Sequence, residues 1–139
     1  MQASRRSLAP EETDHELIWL LVSLGGAIVL ALWLTARLPT PQCAFYSLTG
    51  LPCLTCGATR SAFHFLHGDF VTSFLFNPLA FLAFCGIVLF DFYALAVLIT
   101  GAPRVRFSDF SSAQKRLLRG AAILLLVANW LYLLIARPF

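Results

Sequence analysis

The sequence predicts an all-α, polytopic membrane protein, and three observations support this prediction. Of the 139 residues, 59% are hydrophobic and only 12% are charged, and the mean hydropathy is +0.79. Three apolar stretches are each long enough to cross a hydrocarbon core about 30 Å thick as a helix. The segments outside them hold all the prolines and most of the charges. We therefore expect a single membrane domain over residues 17–136 with three transmembrane helices.

Residues 1–16 are expected to form a solvated tail, because they combine arginines and acidic residues with no apolar periodicity. The first apolar run begins at Leu17 and predicts a transmembrane helix over residues 17–36. No small-x-small cleavage site ends this run, which argues against a cleaved signal peptide. Two prolines then terminate the helix and open the first loop, which we define as residues 37–78.

The first loop is expected to contain short amphipathic helices that lie at the membrane interface or re-enter the membrane. From Ala58 the apolar residues recur with helical spacing, and Gly68 is a suitable helix stop. Asp69 can cap a second short helix, which Asn77 and Pro78 end. Neither helix is long enough to span the membrane.

Two further spans are predicted, over residues 79–99 and 117–136. Both are strongly apolar and long enough to cross the bilayer. The polar segment between them, residues 100–116, contains a glycine, a proline and several charges. In that segment, Ser111 or Ser112 is the expected N-cap of the third span.

Two polar residues are expected inside the membrane, Asp91 in the second span and Asn129 in the third. A charged Asp at the centre of a span costs about 2.5–3.5 kcal/mol on insertion scales, so Asp91 is expected to face other helices or a cavity. In that position Asp91 either stabilises the packing of the helices, as a protonated or hydrogen-bonded group, or takes part in a proton path or a partner contact. A pair with Asn129 is not favoured, because the two residues lie at different depths. Trp130 and Tyr132 are expected to anchor or pack.

The distribution of basic residues predicts the orientation of the chain. Three spans place the N-terminal tail and residues 100–119 on one side, and the first loop and the C-terminus on the other. The first side carries seven of the ten Lys and Arg residues, and the second side carries three. By the positive-inside rule, the N-terminus is expected in the cytoplasm and the first loop outside. Thiols tend to oxidise in that outer compartment.

Three cysteines of the first loop are the main candidates for a chemical role. Cys43, Cys53 and Cys56, together with His64, offer the four ligands that a closed tetrahedral zinc site needs. A thiol redox pair is a second interpretation. When a helix follows a Cys-x-x-Cys, the helix dipole lowers the pKa of the first thiol and favours the thiolate. In a third interpretation, Cys43 bonds to Cys53 or Cys56. Such a disulfide stabilises the loop by about 3 kcal/mol in the chain-entropy model.

A basic stripe on the first predicted loop helix is the second candidate site. Arg60, His64 and His67 are spaced four and three residues apart, so they share one helix face. This face is either the solvated side of an interfacial helix or an anion site. In the second case Arg60 binds a phosphate or carboxylate, such as a lipid headgroup, and the histidines add donors at mildly acidic pH.

The loop motif resembles a family of small bacterial membrane proteins, the domain of unknown function 2752. The resemblance covers about residues 40–136, and the family name implies no activity. Leu54 stands where the family usually has a proline, so a rigid Cys-Pro-x-Cys turn is not expected. The residues that match the family motif are Cys43, Gly50, Cys53, Cys56, Gly57, Thr59, Arg60, Gly68, Asp69, Asn77 and Pro78.

These features predict a non-enzymatic accessory subunit or interaction module of the bacterial inner membrane, whose outward loop docks a membrane-protein partner or a lipid. The alternative is a thiol-redox or zinc-binding membrane enzyme that uses Cys43, Cys53 and Cys56. No cofactor is expected, and zinc is the one that the ligand set would accept. Nucleic acid is not expected as a partner, because the basic residues are not clustered with exposed aromatic side chains.

Overall fold

A computed structural model describes residues 2–6, 14–36, 43–101, 104–108 and 111–136 of the chain. These residues form six helices and one two-stranded sheet. In chain order the elements are β1 (Gln2–Arg6), α1 (His15–Thr35), α2 (Ala44–Thr49), α3 (Ala58–Leu66), α4 (Phe70–Phe76), α5 (Pro78–Thr100), β2 (Arg104–Ser108) and α6 (Ser112–Ala136).

In the described part of the chain, α1, α5 and α6 are long and apolar enough to cross a membrane. The predicted fold class of three transmembrane helices with shorter helices in the first loop is therefore confirmed. Helix α6 begins at Ser112, directly after Ser111, which is one of the two expected N-caps, and it contains the predicted span over residues 117–136. A capping box fixes this start: the Ser111 hydroxyl accepts from the Gln114 backbone N–H at 3.3 Å, and the Gln114 side-chain oxygen Oε1 accepts from the Ser111 N–H at 3.1 Å.

The short helices of the first loop form a compact hairpin against the start of α5. Ser61 of α3 and Ser73 of α4 are both fully buried, and their hydroxyl oxygens lie 3.0 Å apart. The Ser73 hydroxyl also donates to the Ser61 carbonyl at 2.8 Å. Small residues at this crossing allow the two helices to approach closely. As predicted, Asp69 caps α4, since its carboxylate accepts from the Thr72 N–H at 3.1 Å.

Two features of the structure were not predicted, the helix α2 and the sheet formed by β1 and β2. Helix α2 follows Cys43 and ends at Gly50, which has a φ of +69°. Strands β1 and β2 pair antiparallel, with Gln2 opposite Ser108, so part of the expected solvated tail is a strand. Each strand's partner lies about a hundred residues away, and a local sequence pattern does not report such a pairing. The pairing places β1 beside β2, which agrees with a three-span topology, because that topology puts both segments on the same side of the membrane.

Candidate functional site

The three cysteines of the first loop converge into one cluster, which we call the thiol cluster. The sulfurs of Cys43, Cys53 and Cys56 all lie within 4.8 Å of one another. The Cys43 thiol lies 3.2 Å from the Cys53 sulfur, and the Cys53 thiol lies 3.5 Å from the Cys56 sulfur. None of these cysteines is in a disulfide. Cys56 is buried, and the other two are half-buried.

Glycine shapes the turn that carries the thiol cluster. Gly57 follows Cys56 and has a φ of +81°, a left-handed conformation that other residues rarely adopt. A Cβ atom at Gly57 would lie 2.7 Å from the backbone carbonyl oxygen of Phe76. The turn therefore requires glycine both for its dihedral angle and for its close approach to the end of α4.

Asn77 holds this turn from the N-terminus of α5. Its side-chain amide N–H groups donate to the carbonyl of Leu54 at 3.2 Å and to that of Cys56 at 3.0 Å. Its side-chain oxygen accepts from the Ala80 N–H at 3.0 Å and so caps α5. Since Asn77 is only 1% exposed, loss of its amide would leave buried backbone groups without partners.

Helix α6 also holds this turn. The Asn129 amide donates to the Leu54 carbonyl at 3.2 Å and accepts from the Leu79 N–H at 3.0 Å. The Trp130 indole N–H donates to the Pro52 carbonyl at 2.9 Å. The polar residues near the end of the third span thus bind the backbone of the first loop. These contacts were not predictable from local sequence patterns, because they join residues 50 or more positions apart.

The environments of two clustered thiols differ. Burial raises the pKa of Cys53, but hydrogen bonds with Thr55, Cys43 and Cys56 together outweigh it and lower that pKa to about 7. The pKa of Cys56 is raised to about 12, mainly by burial. The thiols of Cys53 and Cys43 also raise this pKa, whereas the hydrogen bond from the Cys53 N–H lowers it. Of these two thiols, Cys53 is therefore the one that ionises at lower pH.

The basic stripe of α3 lies outside the thiol cluster. His64 Nδ1 contacts the Asp69 carboxylate at 3.2 Å, and its ring stacks on Phe76. Hydrogen bonds with Thr72, and to a smaller extent the interaction with His64, lower the pKa of the Asp69 carboxyl. The Arg60 guanidinium lies 5.9 Å from the Phe76 ring centroid. The structure therefore brings together three of the four predicted metal ligands, and His64 is not among them.

His67 and Thr59 complete the predicted motif residues of α3. His67 Nδ1 lies 2.8 Å from the Phe63 carbonyl oxygen, so this histidine is bonded within its own helix. Thr59 lies in the first turn of α3 and is half-buried. Gly68 follows α3 with a φ of +77°, in keeping with the predicted helix stop.

Asp91 lies in α5, and its side chain contacts α1. The Ser23 hydroxyl of α1 donates to its carboxylate at 2.6 Å. Both residues line a cavity of about 370 Å³, together with Trp19, Ala83, Gly86, Ile87 and Phe90. Asn129 is engaged with the first loop instead, so the structure does not pair it with Asp91.

The fold and the site define a class: a multi-pass helical membrane protein with a thiol cluster in the loop between its first two spans. A family model described as "Protein of unknown function (DUF2752)" matches residues 43–90, which confirms the resemblance found in the loop motif. The matched segment contains the thiol cluster, the α3–α4 hairpin and the first half of α5. The curated proteins and the solved structures gave no match to the chain.

Proposed function

We propose that this protein is a non-enzymatic membrane module that binds one thiophilic metal ion on Cys43, Cys53 and Cys56. The observation that carries the proposal is the position of the three sulfurs within 4.8 Å of one another. A disulfide would use two of these cysteines and leave the third unpaired, whereas one metal ion uses all three. The ion would be bound as a thiolate complex, so its uptake releases protons.

The sulfur positions agree with such an ion. Zinc binds thiolate sulfur at about 2.3 Å, so the sulfurs of one tetrahedral zinc lie roughly 3.8 Å apart. The separations of 3.2 and 3.5 Å and the 4.8 Å limit bracket this value. Small side-chain rotations in the loop are enough to reach it. Hydrogen bonds from Asn77, Asn129 and Trp130 already fix the backbone that carries two of the cysteines.

A bound ion would keep the first loop ordered for a partner at the outer face of the membrane. The loop helices present large apolar side chains to their surroundings: Leu48 is 85% exposed and Val71 is 73% exposed. Such surfaces suit lipid or a membrane-protein partner. We place the N-terminus in the cytoplasm and the loop on the outer side of a cell membrane, as the basic residues predict.

A thiol redox enzyme is the second candidate function, and one observation favours it. Cys53, whose pKa is lowered to about 7, would be substantially ionised at neutral pH and lies next to the Cys43 thiol. A thiolate with a thiol neighbour is the arrangement used in thiol–disulfide exchange. This candidate requires that the Cys43–Cys53 pair cycle between its reduced and oxidised forms during turnover.

Metal titration of the full chain tests the proposal. The purified protein is reduced in detergent, and Cd²⁺ is added while the thiolate-to-cadmium absorption is recorded. We expect one ion per chain, and loss of the absorption in Cys43→Ser, Cys53→Ser and Cys56→Ser. Cys85→Ser is the matched control, because Cys85 lies in α5 outside the cluster, and should bind like the wild type. Equal binding by all four variants, or none by the wild type, would refute the proposal.

A further inference from the structure

We infer that the thiol cluster is built for monovalent copper in three-coordinate geometry rather than for zinc. This inference rests on the proposed function, because it names the ion that the same three cysteines would hold. Zinc in protein sites is almost always four-coordinate. Thiolates are soft ligands that select Cu⁺ as well as zinc, and Cu⁺ is satisfied by three of them. The choice therefore depends on whether a fourth ligand is at hand.

In the part of the chain that the structure describes, no fourth ligand side chain lies near the cluster. Among the described residues, the group of Cys, His, Asp and Glu ligand atoms at this point contains the three sulfurs only. The other residues of these types in the first loop are His64, His67 and Asp69. His64 and Asp69 bind each other, and His67 bonds to the backbone of its own helix. Residues 37–42 contain no Cys, His, Asp or Glu in the sequence.

A water molecule is also poorly suited as the fourth ligand on the cavity side of the cluster. Cys53 lines a cavity of about 380 Å³, and the other residues that line it are Phe45, Leu54, Leu126, Val127 and Trp130. Trp130 has the only polar side-chain group among these five, and its N–H already donates to the Pro52 carbonyl. A zinc-bound water or hydroxide would thus find no side-chain acceptor in this cavity. Leaving such a group unpaired is costly in apolar surroundings.

Hydrogen-bond donors are arranged around the sulfurs instead. The Cys53 N–H donates to the Cys56 sulfur at 3.2 Å, and the Thr55 hydroxyl lies 3.3 Å from the Cys53 sulfur. Once the thiols are deprotonated, both groups can donate to thiolate. They offset part of the negative charge that three thiolates retain around a monovalent ion.

Coordination number is the property that separates the two ions. The reduced full chain in detergent is loaded anaerobically with Cu⁺ or with Zn²⁺ and studied by X-ray absorption at each metal edge. We expect Cu⁺ with three sulfur neighbours and no nitrogen or oxygen neighbour. We also expect excess chromophoric chelator to strip zinc from the protein. Cys53→Ser should lose one sulfur neighbour from the copper spectrum, whereas Cys85→Ser should leave that spectrum unchanged.

The possible results distinguish this inference from the proposed function. Zinc that resists the chelator and shows a fourth ligand would overturn the choice of copper and leave the metal site standing. Copper with fewer than three sulfur neighbours, or with an added nitrogen or oxygen, would also overturn it. Failure of both ions and of Cd²⁺ to bind would overturn the inference together with the proposed function.

Discussion

The first loop and the three spans are held in place by different kinds of contact. In the loop, side chains from α5 and α6 donate hydrogen bonds to backbone carbonyls around the thiol cluster. In the spans, only 11% of each apolar stretch is buried, and the side-chain hydrogen bond between α1 and α5 joins Ser23 to Asp91. The chain thus specifies the position of its loop more strongly than the packing of its membrane helices.

This difference indicates that the first loop has a more fixed geometry than the spans. Polar side chains in a membrane protein are costly unless they are paired, and the C-terminal half of α6 uses two of them, Asn129 and Trp130, to bind the loop. Lipid can cover the apolar faces of the spans without specific contacts. A precise loop on loosely packed spans suits a protein whose function is in the loop.

The largest effect is expected from Gly57→Ala. A left-handed conformation alone costs a non-glycine residue about 1–2 kcal/mol, and the new Cβ would also lie 2.7 Å from the Phe76 carbonyl oxygen. We expect little monodisperse protein by size-exclusion chromatography in detergent. Gly50→Ala is the matched control, because Gly50 also has a positive φ but open space around it. Equal yields of the two variants would show that the turn does not need the close approach to α4.

The second largest effect is expected from Asn77→Ala. This change leaves the Cys56 carbonyl and the Ala80 N–H without their side-chain partner, at about 1–3 kcal/mol for each buried group that stays unpaired. The Leu54 carbonyl keeps its bond from Asn129. The melting temperature in detergent should fall, and the loop should become sensitive to protease.

Asn129→Ala is the comparison for Asn77→Ala. It should cost less, because it leaves one group, the Leu79 N–H, without its side-chain partner, while the Leu54 carbonyl keeps its bond from Asn77. A melting temperature that falls further for Asn129→Ala than for Asn77→Ala would contradict the assigned roles.

A third prediction concerns the pH dependence of Cys53 in the metal-free protein. Because its pKa is lowered to about 7, the thiolate fraction rises with pH through neutrality, and alkylation should be half-maximal near pH 7. Burial raises the pKa of Cys56 to about 12, so that thiol should stay unmodified over the same range. Thr55→Val should move the Cys53 profile to higher pH by removing one hydrogen bond. A profile centred at the ordinary cysteine value of about 8.5 would contradict the described environment.

The smallest effect is expected in the spans, from Ser23→Ala. Interhelical hydrogen bonds in membranes are worth about 0.6 kcal/mol on average, and the Ser23 hydroxyl makes one such bond to Asp91. The melting temperature should change little, and metal binding should not change. A loss of metal binding would show that the spans and the loop are coupled, which the contacts described above do not predict.

The sequence predicted those parts of the structure that depend on local patterns. Apolar length gave the three spans, Asp69 and Gly68 marked the helix ends, and the grouping of Cys43 with the Cys-x-x-Cys pair marked the site. The position of the thiol cluster relative to His64 was not predictable from spacing. Whether a helical histidine reaches a neighbouring loop depends on how α3 packs, and here its partners are Asp69 and Phe76.

The contacts that fix the site were missed for a physical reason. Asn129 and Trp130 resemble ordinary polar and interfacial residues of a span, and their partners Leu54 and Pro52 accept through backbone carbonyls, which leave no trace in side-chain composition. Ser23 likewise gave no signal, since a lone serine is common in a membrane helix. Contacts between a side chain and a distant backbone group can be identified only when the tertiary structure is known.

Differential alkylation in intact cells tests the central claim that the three loop cysteines act together as an outward-facing metal site. A membrane-impermeant reagent is applied before and after chelation, and before and after reduction, and each cysteine is read by mass spectrometry. We predict that Cys43 and Cys53 become reactive after chelation alone, and that Cys85 does not respond to either treatment. Reaction of loop cysteines only after reduction would contradict the metal site and support a disulfide.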